Sequence, residues 1–292
     1  MIDKNFTPER KQFFQTINSE LEEKLFCSKE TYVHPSSIIG PNVTLEENVK
    51  VGPFCIIIGN TKIGCNTRIF SHASIGIPAN DTSAQKNLGS IEIGKNCEIK
   101  EFVNIHSSKK IGGKTKIGNN CYLMNFTHFA HDVILEDNVT IINNVNLAGH
   151  VHIEKNVMVM ANCALHQFCK IGKFSCLTPF SGTRQDIPPF CSLTGQPARF
   201  SGLNLIALKR AGFLKKDIDS LKHVTKLFFQ DKILLNNIIK LAKDNLDDWG
   251  GNKHVLEFIE FIKNSERGVS RRVFCYKENI KQLNLGKTKT HG

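Results

Sequence analysis

The sequence predicts a β-solenoid, a long stack of short parallel strands, followed by a smaller helical region. The main observation is a period of six: one apolar residue recurs every six positions over residues 33–75 and again, in the same register, over residues 93–177. The phase lapses only at Asp81 and Asn87, and it includes Ile111. Neither an α-helix nor a half-buried strand would keep this spacing. A period this regular is typical of a solenoid.

The composition of the hexads is the second observation. In "IGPNVT" and "LEDNVT" an aliphatic residue comes first, a turn-permitting residue follows, and a small residue or valine stands fifth. Five of the ten cysteines occupy this fifth place: Cys55, Cys97, Cys121, Cys163 and Cys169. No CxxC pair exists, and a free cysteine packs like a small hydrophobe. We therefore interpret these cysteines as packing residues, not as disulfide partners or zinc ligands.

Three parts of the chain depart from the repeat and define the domain boundaries. Residues 1–30 have apolar positions at helical spacing, which predicts a short N-terminal helical arm that caps the solenoid. Residues 31–200 form the predicted solenoid, interrupted by a polar excursion loop at residues 77–90. Beyond two prolines the period ends, and residues 201–292 predict amphipathic helices with a polar tail.

Composition and charge narrow the class of protein. No apolar run is long enough to cross a bilayer, and the first residues lack a signal-peptide layout, so we expect a cytoplasmic protein without a transmembrane segment. The chain carries 38 basic and 27 acidic residues, a net charge of +11, and 18 of the basic but only 10 of the acidic residues lie within 201–292. This basic end would suit an acidic partner such as a carrier protein, although a solvated helical surface explains it equally well. No nucleic-acid motif is present, so nucleic acid is not an expected partner.

Four histidines cluster in the later hexads: His128, His131, His150 and His166. A buried solenoid core has no place for imidazole, so all four side chains are expected to point outward. His131, His150 and His166 lie beside Asp, Gly and Gln, in "HFAHD", "LAGHV" and "HQFCKIG", and His128 opens the first of these motifs. A single outward histidine is usually inert, but four in one short stretch favour a functional site.

These motifs give the chain a specific resemblance. The hexads resemble those of the hexapeptide-repeat acyltransferases, and the three histidine motifs, with "QDIPPF" and "LKRAGF", resemble the UDP-N-acetylglucosamine acyltransferase (LpxA) family over about residues 31–270. The resemblance implies a mainly β fold, a left-handed parallel β-helix of 18-residue coils with a C-terminal α-helical domain. It also implies homotrimers that move a 3-hydroxyacyl chain from acyl carrier protein to the 3-hydroxyl of UDP-N-acetylglucosamine, the first step of lipid A biosynthesis, without a cofactor or metal.

The resemblance further assigns roles to individual residues. His131 matches the family's general base, Asp132 the residue that holds its ring, and Gly149 the backbone N–H donor to the oxyanion. Histidine suits a general base because it titrates near neutral pH. Thr178 and Pro179 match the positions that measure the acyl chain. Substrate contacts are implied for Asp81, His128, His150, His166, Gln167, Asn204 and Arg210.

Departures from the family pattern leave the acceptor open. Ser83 and Ser107 stand where the family has Lys and Arg, and Ile206 and Ala211 where it has Glu and a second Arg, residues that help hold the nucleotide. One alternative is therefore a paralogue with another nucleotide-sugar acceptor, and another is a non-enzymatic assembly subunit. A γ-carbonic-anhydrase-like solenoid that binds zinc through three histidines is a third. The related LpxD N-acyltransferases are disfavoured because they do not combine "HQFC" with "LKRAGF".

Overall fold

The computed structural model describes residues 30–81, 89–270 and 273. These residues belong to two compact units, a first unit of Met1–Asp132 and a second unit of Val133–Gly292. The predicted N-terminal helical arm lies outside the described residues except for its last residue, Glu30, and most of the predicted polar tail lies outside them as well.

Every described strand of the first unit is short and contains the apolar residue of one hexad. This residue is buried from Val51 onward and only half-buried at Val33, Ile39 and Leu45, which belong to the first described coil. In chain order the strands are β1 (Tyr32–Val33), β2 (Ile38–Ile39), β3 (Val43–Leu45), β4 (Lys50–Val51), β5 (Ile56–Ile57), β6 (Asn60–Ile63), β7 (Arg68–Ile69), β8 (Ser74–Ile77), β9 (Ser90–Ile93), β10 (Glu98–Ile99), β11 (Asn104–His106), β12 (Lys114–Ile117), β13 (Tyr122–Leu123) and β14 (His128–Phe129).

These strands form three parallel sheets, and each coil contributes one strand to each sheet. The orders are β1-β4-β7-β10-β13, β2-β5-β8-β11-β14 and β3-β6-β9-β12. Val51 of β4 pairs with Ile69 of β7, its equivalent one coil later. Parallel strands lie roughly 4.8 Å apart, so equivalent apolar side chains of successive coils stack into one continuous core.

A ladder of asparagines records the coil length directly. Asn48, Asn66, Asn96 and Asn120 all adopt the left-handed conformation, with φ between 54° and 59°. Asparagine tolerates this conformation better than most residues, which explains its frequency at the turns. Their side-chain amides donate from one rung to the next, across 18, 30 and 24 residues of sequence.

The first unit therefore contains two loops that lengthen a coil, whereas the sequence predicted one. The predicted excursion at residues 77–90, of which 82–88 lie outside the described residues, accounts for the 30-residue step, and a second loop at residues 107–113 accounts for the 24-residue step. Ile111 lies in this second loop and is 75% exposed, so its placement among the core residues was wrong. The added lengths, 12 and 6 residues beyond 18, are multiples of six. The six-residue spacing of apolar residues consequently stays in register across both loops. The second loop therefore cannot be recognised from this spacing.

The second unit continues the same pattern and then changes to helices. Its parallel sheets are ordered β16-β19-β22-β24, β17-β20-β23 and β15-β18-β21, and β25 adds antiparallel to β24. The strands are β15 (Ile134–Leu135), β16 (Thr140–Ile141), β17 (Asn146–Leu147), β18 (His152–Ile153), β19 (Met158–Val159), β20 (Ala164–Leu165), β21 (Lys170–Ile171), β22 (Cys176–Leu177), β23 (Gly182–Thr183), β24 (Cys191–Thr194) and β25 (Arg199–Leu203).

The helices of the second unit bury an apolar face against β25 and against one another. Phe200 of β25 stacks on Phe229 with ring centroids 4.0 Å apart, and Phe229 meets Phe258 edge-on. Among the described residues, no helix is long and apolar enough to cross a bilayer. The helices are α1 (Leu205–Arg210), α2 (Lys215–Thr225), α3 (Leu235–Asp244) and α4 (Lys253–Lys263), with π-helical turns at Lys226–Gln230 and Leu246–Gly250.

The cysteines at the fifth place of a hexad are core residues, as predicted. All five are at most 1% exposed, and each is a free thiol. Burial raises the pKa of the Cys55, Cys163 and Cys169 thiols, because a thiolate is poorly solvated in an apolar core. These three thiols are therefore poorly suited to nucleophilic or metal-binding roles.

Candidate active site

The first unit places one histidine between two carboxylates. His131 Nδ1 lies 2.8 Å from Asp132 Oδ2, and His131 Nε2 lies 3.8 Å from Asp81 Oδ2. The side chain of His131 is only 11% exposed. The structure thus brings together three residues to which the sequence assigned roles, although Asp81 is distant from the other two in the chain.

Backbone and side-chain contacts hold Asp132 in place. Asp132 occupies the turn position of the hexad that begins at Phe129 and adopts the left-handed conformation, with a φ of 61°. Its N–H donates to Thr115 Oγ1 at 2.9 Å. Its Oδ1 accepts a hydrogen bond from Ser108 Oγ at 2.5 Å, while Oδ2 faces His131. Both carboxylate oxygens are therefore engaged, and the carboxylate is fixed against the ring.

Asp81 is held by a cation from the second loop. Lys109 Nζ lies 2.7 Å from Asp81 Oδ2, the oxygen that faces His131. About a quarter of each side chain of this ion pair is exposed. The site therefore combines one imidazole, two carboxylates and one ammonium group. The sequence indicated neither Ser108 nor Lys109, because their loop was not recognised as a loop.

Two further histidines of the first unit, His106 and His128, contact each other. His106 is 3% exposed, its Nδ1 lies 2.8 Å from the Pro78 carbonyl oxygen, and its Nε2 has no hydrogen-bond partner among the described residues. The rings of His106 and His128 meet edge-on with centroids 5.0 Å apart. Burial, with a smaller contribution from His106, lowers the pKa of His128. No role was predicted for His106 from the sequence.

In the second unit, His150 is held by an aromatic stack. His150 adopts the left-handed conformation, with a φ of 60°, and its ring lies parallel to that of Phe168 at a centroid distance of 4.7 Å. The carbonyl of Gly149 accepts a hydrogen bond from the Phe168 N–H at 3.1 Å. The "HQFC" segment thereby fixes the "LAGHV" turn, which carries the predicted oxyanion donor.

His166 and Gln167 are exposed at the surface of the second unit. Arg267 reaches His166 from the segment after α4, with its Nη2 3.1 Å from His166 Nδ1. Ser265 Oγ, in the same segment, donates to Asp186 Oδ2 at 2.6 Å, which anchors the segment to the coils of this unit. Arg267 was not predicted from the sequence, because no periodicity connects it with His166.

Asn204 serves as the N-cap of α1. Its Oδ1 accepts from the Ala207 N–H at 3.3 Å, and its Nδ2 donates to the Phe174 carbonyl at 2.9 Å. Arg210, in the last turn of α1, is exposed, and so is Ile206. The amide of Asn204 therefore supports the helix that presents Arg210, and a direct contact of Asn204 with substrate stays a prediction.

The two residues predicted to measure the acyl chain lie at a turn of the second unit. Thr178 Oγ1 donates to Thr194 Oγ1 at 2.6 Å, which ties it to β24. Pro179 is exposed beside Phe180, which is 72% exposed. Pro179 is thus accessible to a ligand, and its role in acyl selection stays a prediction.

Comparison with known proteins identifies the family. A model described as Udp N-acetylglucosamine O-acyltransferase, domain 2, matches residues 186–270, and a bacterial transferase hexapeptide model matches residues 114–149. The acyl-acyl-carrier-protein–UDP-N-acetylglucosamine O-acyltransferase of Bartonella henselae is 34% identical over 84% of this chain and 94% of the relative. The corresponding protein of Thermodesulfovibrio yellowstonii is 36% identical over 82% and 99%. The chain belongs to the UDP-N-acetylglucosamine O-acyltransferase family.

Solved structures of this O-acyltransferase family agree with the fold. LpxA from Acinetobacter baumannii matches with a TM-score of 0.70 and 32% identity, covering 81% of this chain and 98% of that one. The UDP-N-acetylglucosamine acyltransferase from Campylobacter jejuni matches with a TM-score of 0.70 and 31% identity, covering 85% and 99%. The predicted fold class, a left-handed parallel β-helix of hexapeptide repeats with C-terminal helices, is confirmed.

Proposed function

We propose that this O-acyltransferase moves a 3-hydroxyacyl chain from acyl carrier protein to the 3-hydroxyl of UDP-N-acetylglucosamine, the first step of lipid A biosynthesis. The names of the curated relatives specify the acyl carrier protein donor and the UDP-N-acetylglucosamine acceptor. The observation that carries the proposal is the pairing of His131 Nδ1 with Asp132 Oδ2 at 2.8 Å.

The pairing suits a base that acts on a sugar hydroxyl. Such a hydroxyl attacks a thioester only if a base takes its proton while the new carbon–oxygen bond forms. A carboxylate at Nδ1 keeps the proton on that nitrogen and leaves the lone pair on Nε2. In the proposed reaction Nε2 of His131 therefore accepts the hydroxyl proton, and Asp132 stabilises the imidazolium that results.

The remaining steps follow from the chemistry of acyl transfer. The sugar oxygen adds to the thioester carbon, and the tetrahedral oxyanion is stabilised by a preorganised donor, for which we propose the Gly149 N–H. Collapse of the intermediate breaks the carbon–sulfur bond. The departing thiolate of the carrier takes the proton back from His131, which restores the neutral base and yields an ester and a free carrier thiol.

The other predicted residues complete the proposal. Asp81, His128 and Gln167 are proposed to contact the substrate, and His150 and His166 to line the cleft for the sugar and the acyl-pantetheine group. The exposed Arg210 is available for the nucleotide. A homotrimer and a cytoplasmic location are proposed from the resemblance to the family. Membership of the O-acyltransferase family favours this function over the alternative of a zinc-binding solenoid like the γ-class carbonic anhydrases.

One feature supports a second candidate acceptor. Ile206 is 67% exposed and Ala211 is exposed, at positions where the family pattern has charged residues. In the family pattern those charged residues help hold the nucleotide, so their replacement leaves the identity of the nucleotide sugar open. We therefore propose, as the alternative, that the acceptor is another nucleotide sugar, for which the 3-amino analogue of UDP-N-acetylglucosamine, which would yield an amide, is the test case.

A transfer assay decides between these functions. The purified protein is incubated with 3-hydroxyacyl carrier proteins and either UDP-N-acetylglucosamine or its 3-amino analogue, and the products are identified by mass spectrometry. An ester with the first acceptor supports the main proposal, and product with the analogue alone supports the alternative. Absence of product with both, together with stoichiometric zinc in the purified protein, would favour the carbonic-anhydrase interpretation.

A further inference from the structure

We infer that Ser108 and Lys109 are positioning residues for the acyl transfer, each acting through one of the two carboxylates beside His131. The inference rests on the proposed function and extends it to the second loop, residues 107–113. Two consecutive residues of this loop contact different carboxylates. Ser108 Oγ donates to Asp132 Oδ1 at 2.5 Å, and Lys109 Nζ lies 2.7 Å from Asp81 Oδ2. One short loop thereby fixes both sides of the imidazole.

The hydrogen of the Ser108 hydroxyl is directed at Asp132. A hydroxyl has one hydrogen to donate and lone pairs to accept. The Lys110 N–H donates to Ser108 Oγ at 3.1 Å and occupies a lone pair, so the hydrogen is left for the carboxylate. With Oδ1 held by Ser108, the other oxygen of Asp132 points at His131 Nδ1. Ser108 therefore limits rotation of the carboxylate away from the ring.

Two glycines make room for Ser108. A Cβ on Gly113 would lie 2.1 Å from Ser108 Oγ, and a Cβ on Gly89 would lie 2.5 Å from Ser108 Cβ. Real Cβ atoms do not approach that closely, so a side chain at either glycine would displace Ser108 from Asp132. The ends of both loops are thus packed around this hydroxyl, and Ser108 is only 3% exposed.

Lys109 acts on the opposite side of the ring. Asp81 Oδ2 lies 3.8 Å from His131 Nε2, the nitrogen proposed to take the hydroxyl proton. The Lys109 ammonium holds this oxygen in place and offsets a second negative charge beside the base. A partly exposed ion pair adds little to folding stability, so we expect the loss of Lys109 to alter kinetics more than stability.

The two residues should produce different kinetic effects. Ser108 acts through Asp132, which contacts the base, so Ser108→Ala should lower kcat roughly tenfold with little change in KM, as for loss of one hydrogen bond to a charged group. Lys109 acts through Asp81, a predicted substrate contact, so Lys109→Met should raise the KM for UDP-N-acetylglucosamine severalfold. Lys109→Arg should restore most of the wild-type KM.

Double-mutant cycles test whether each residue acts through its carboxylate. Ser108→Ala should have almost no further effect on kcat in an Asp132→Asn background, and Lys109→Met almost none on KM in an Asp81→Asn background, because residues that share one interaction are not additive. Controls that should retain wild-type kinetics are Lys110→Met, an exposed lysine of the same loop, and Ser175→Ala, a buried hydroxyl that donates to Gly172.

Proton NMR gives a readout that does not depend on turnover. The His131 Nδ1–H, hydrogen-bonded to Asp132, should give a low-field resonance that is lost or broadened in Ser108→Ala and retained in Ser175→Ala. Full additivity in either cycle, or an unchanged resonance with an unchanged kcat in Ser108→Ala, would overturn the assignment of the residue concerned. A wild-type protein that transfers no acyl group would refute the proposed function instead, and the resonance would still test Ser108.

Discussion

Replacement of His131 by alanine tests the proposed base most directly. Correctly positioned bases contribute about 10²–10⁴-fold to a rate, so transfer should slow by that factor, which corresponds to roughly 2.7–5.5 kcal/mol of activation free energy. The fold should persist, because His131 lies at a turn beside Asp132 and is not one of the apolar hexad residues that form the core. The melting temperature should therefore change by only a few degrees.

The assay is single-turnover transfer from a 3-hydroxyacyl carrier protein, followed by mass spectrometry of the sugar nucleotide. A matched control is His152→Ala, because His152 Nε2 pairs with Glu136 Oε1 at 3.0 Å on the surface of the second unit and has no proposed role in the reaction. The control should keep the wild-type rate. If His131→Ala retains more than about a tenth of that rate while remaining folded, the assignment of His131 as the general base is refuted.

Four further predictions concern the carrier, the acyl chain, the core and the pH dependence. If the basic C-terminal region binds acyl carrier protein, the KM for the carrier should rise more steeply with salt than the KM for the sugar nucleotide, and equal slopes would contradict this. Pro179→Gly should shift the preference toward longer acyl chains, by about 0.8 kcal/mol or nearly fourfold per methylene admitted, in a competition between carriers. An unchanged preference for 14 carbons or longer in that variant would place the end of the groove elsewhere. Ile105→Ala should cost about 2–5 kcal/mol in urea denaturation because Ile105 is 0% exposed, whereas Ile111→Ala should change stability by less than about 0.5 kcal/mol. Because the pKa of His128 is lowered on folding, the unfolded chain binds that proton more tightly, so the free energy of unfolding should fall as the pH drops below about 6.5, and His128→Gln should flatten this dependence.

The sequence reveals the coils because their signal is local. Each strand needs only one buried apolar residue per hexad, so the period alone locates strands such as β4, β7 and β16. The loop at residues 107–113 is hidden because it adds one whole hexad and carries Ile111 in phase. The longer coil shows in the structure, where Ile99 pairs with Leu123 and Asn96 donates to Asn120, each 24 residues further along the chain. Sequence periodicity cannot distinguish a hexad that forms a strand of the coil from a hexad that forms a loop.

The site likewise contains one contact that the sequence predicts and several that it does not. Asp132 follows His131 directly, so their pairing is readable from the motif "HFAHD". The contacts with Asp81, Ser108 and Lys109 depend on how two loops return to the same edge of the first unit, and no spacing rule contains that information. Family resemblance supplied Asp81 but not the other two, because their loop was not recognised from the sequence.

The way in which the second loop joins the first unit has a consequence for how the site can be redesigned. The loop leaves after β11 and returns at β12, and β10 and β13 on either side remain hydrogen-bonded in register. Substitutions at residues 108–112 can therefore leave the pairing of β10 with β13 unchanged. The contacts of this loop with Asp81 and Asp132 can thus be altered without replacing Ile105 and Ile117, the buried apolar residues of the strands on either side. Exchanging residues 108–112 for those of another family member, with Gly89 and Gly113 kept, should accordingly change the kinetics more than the stability.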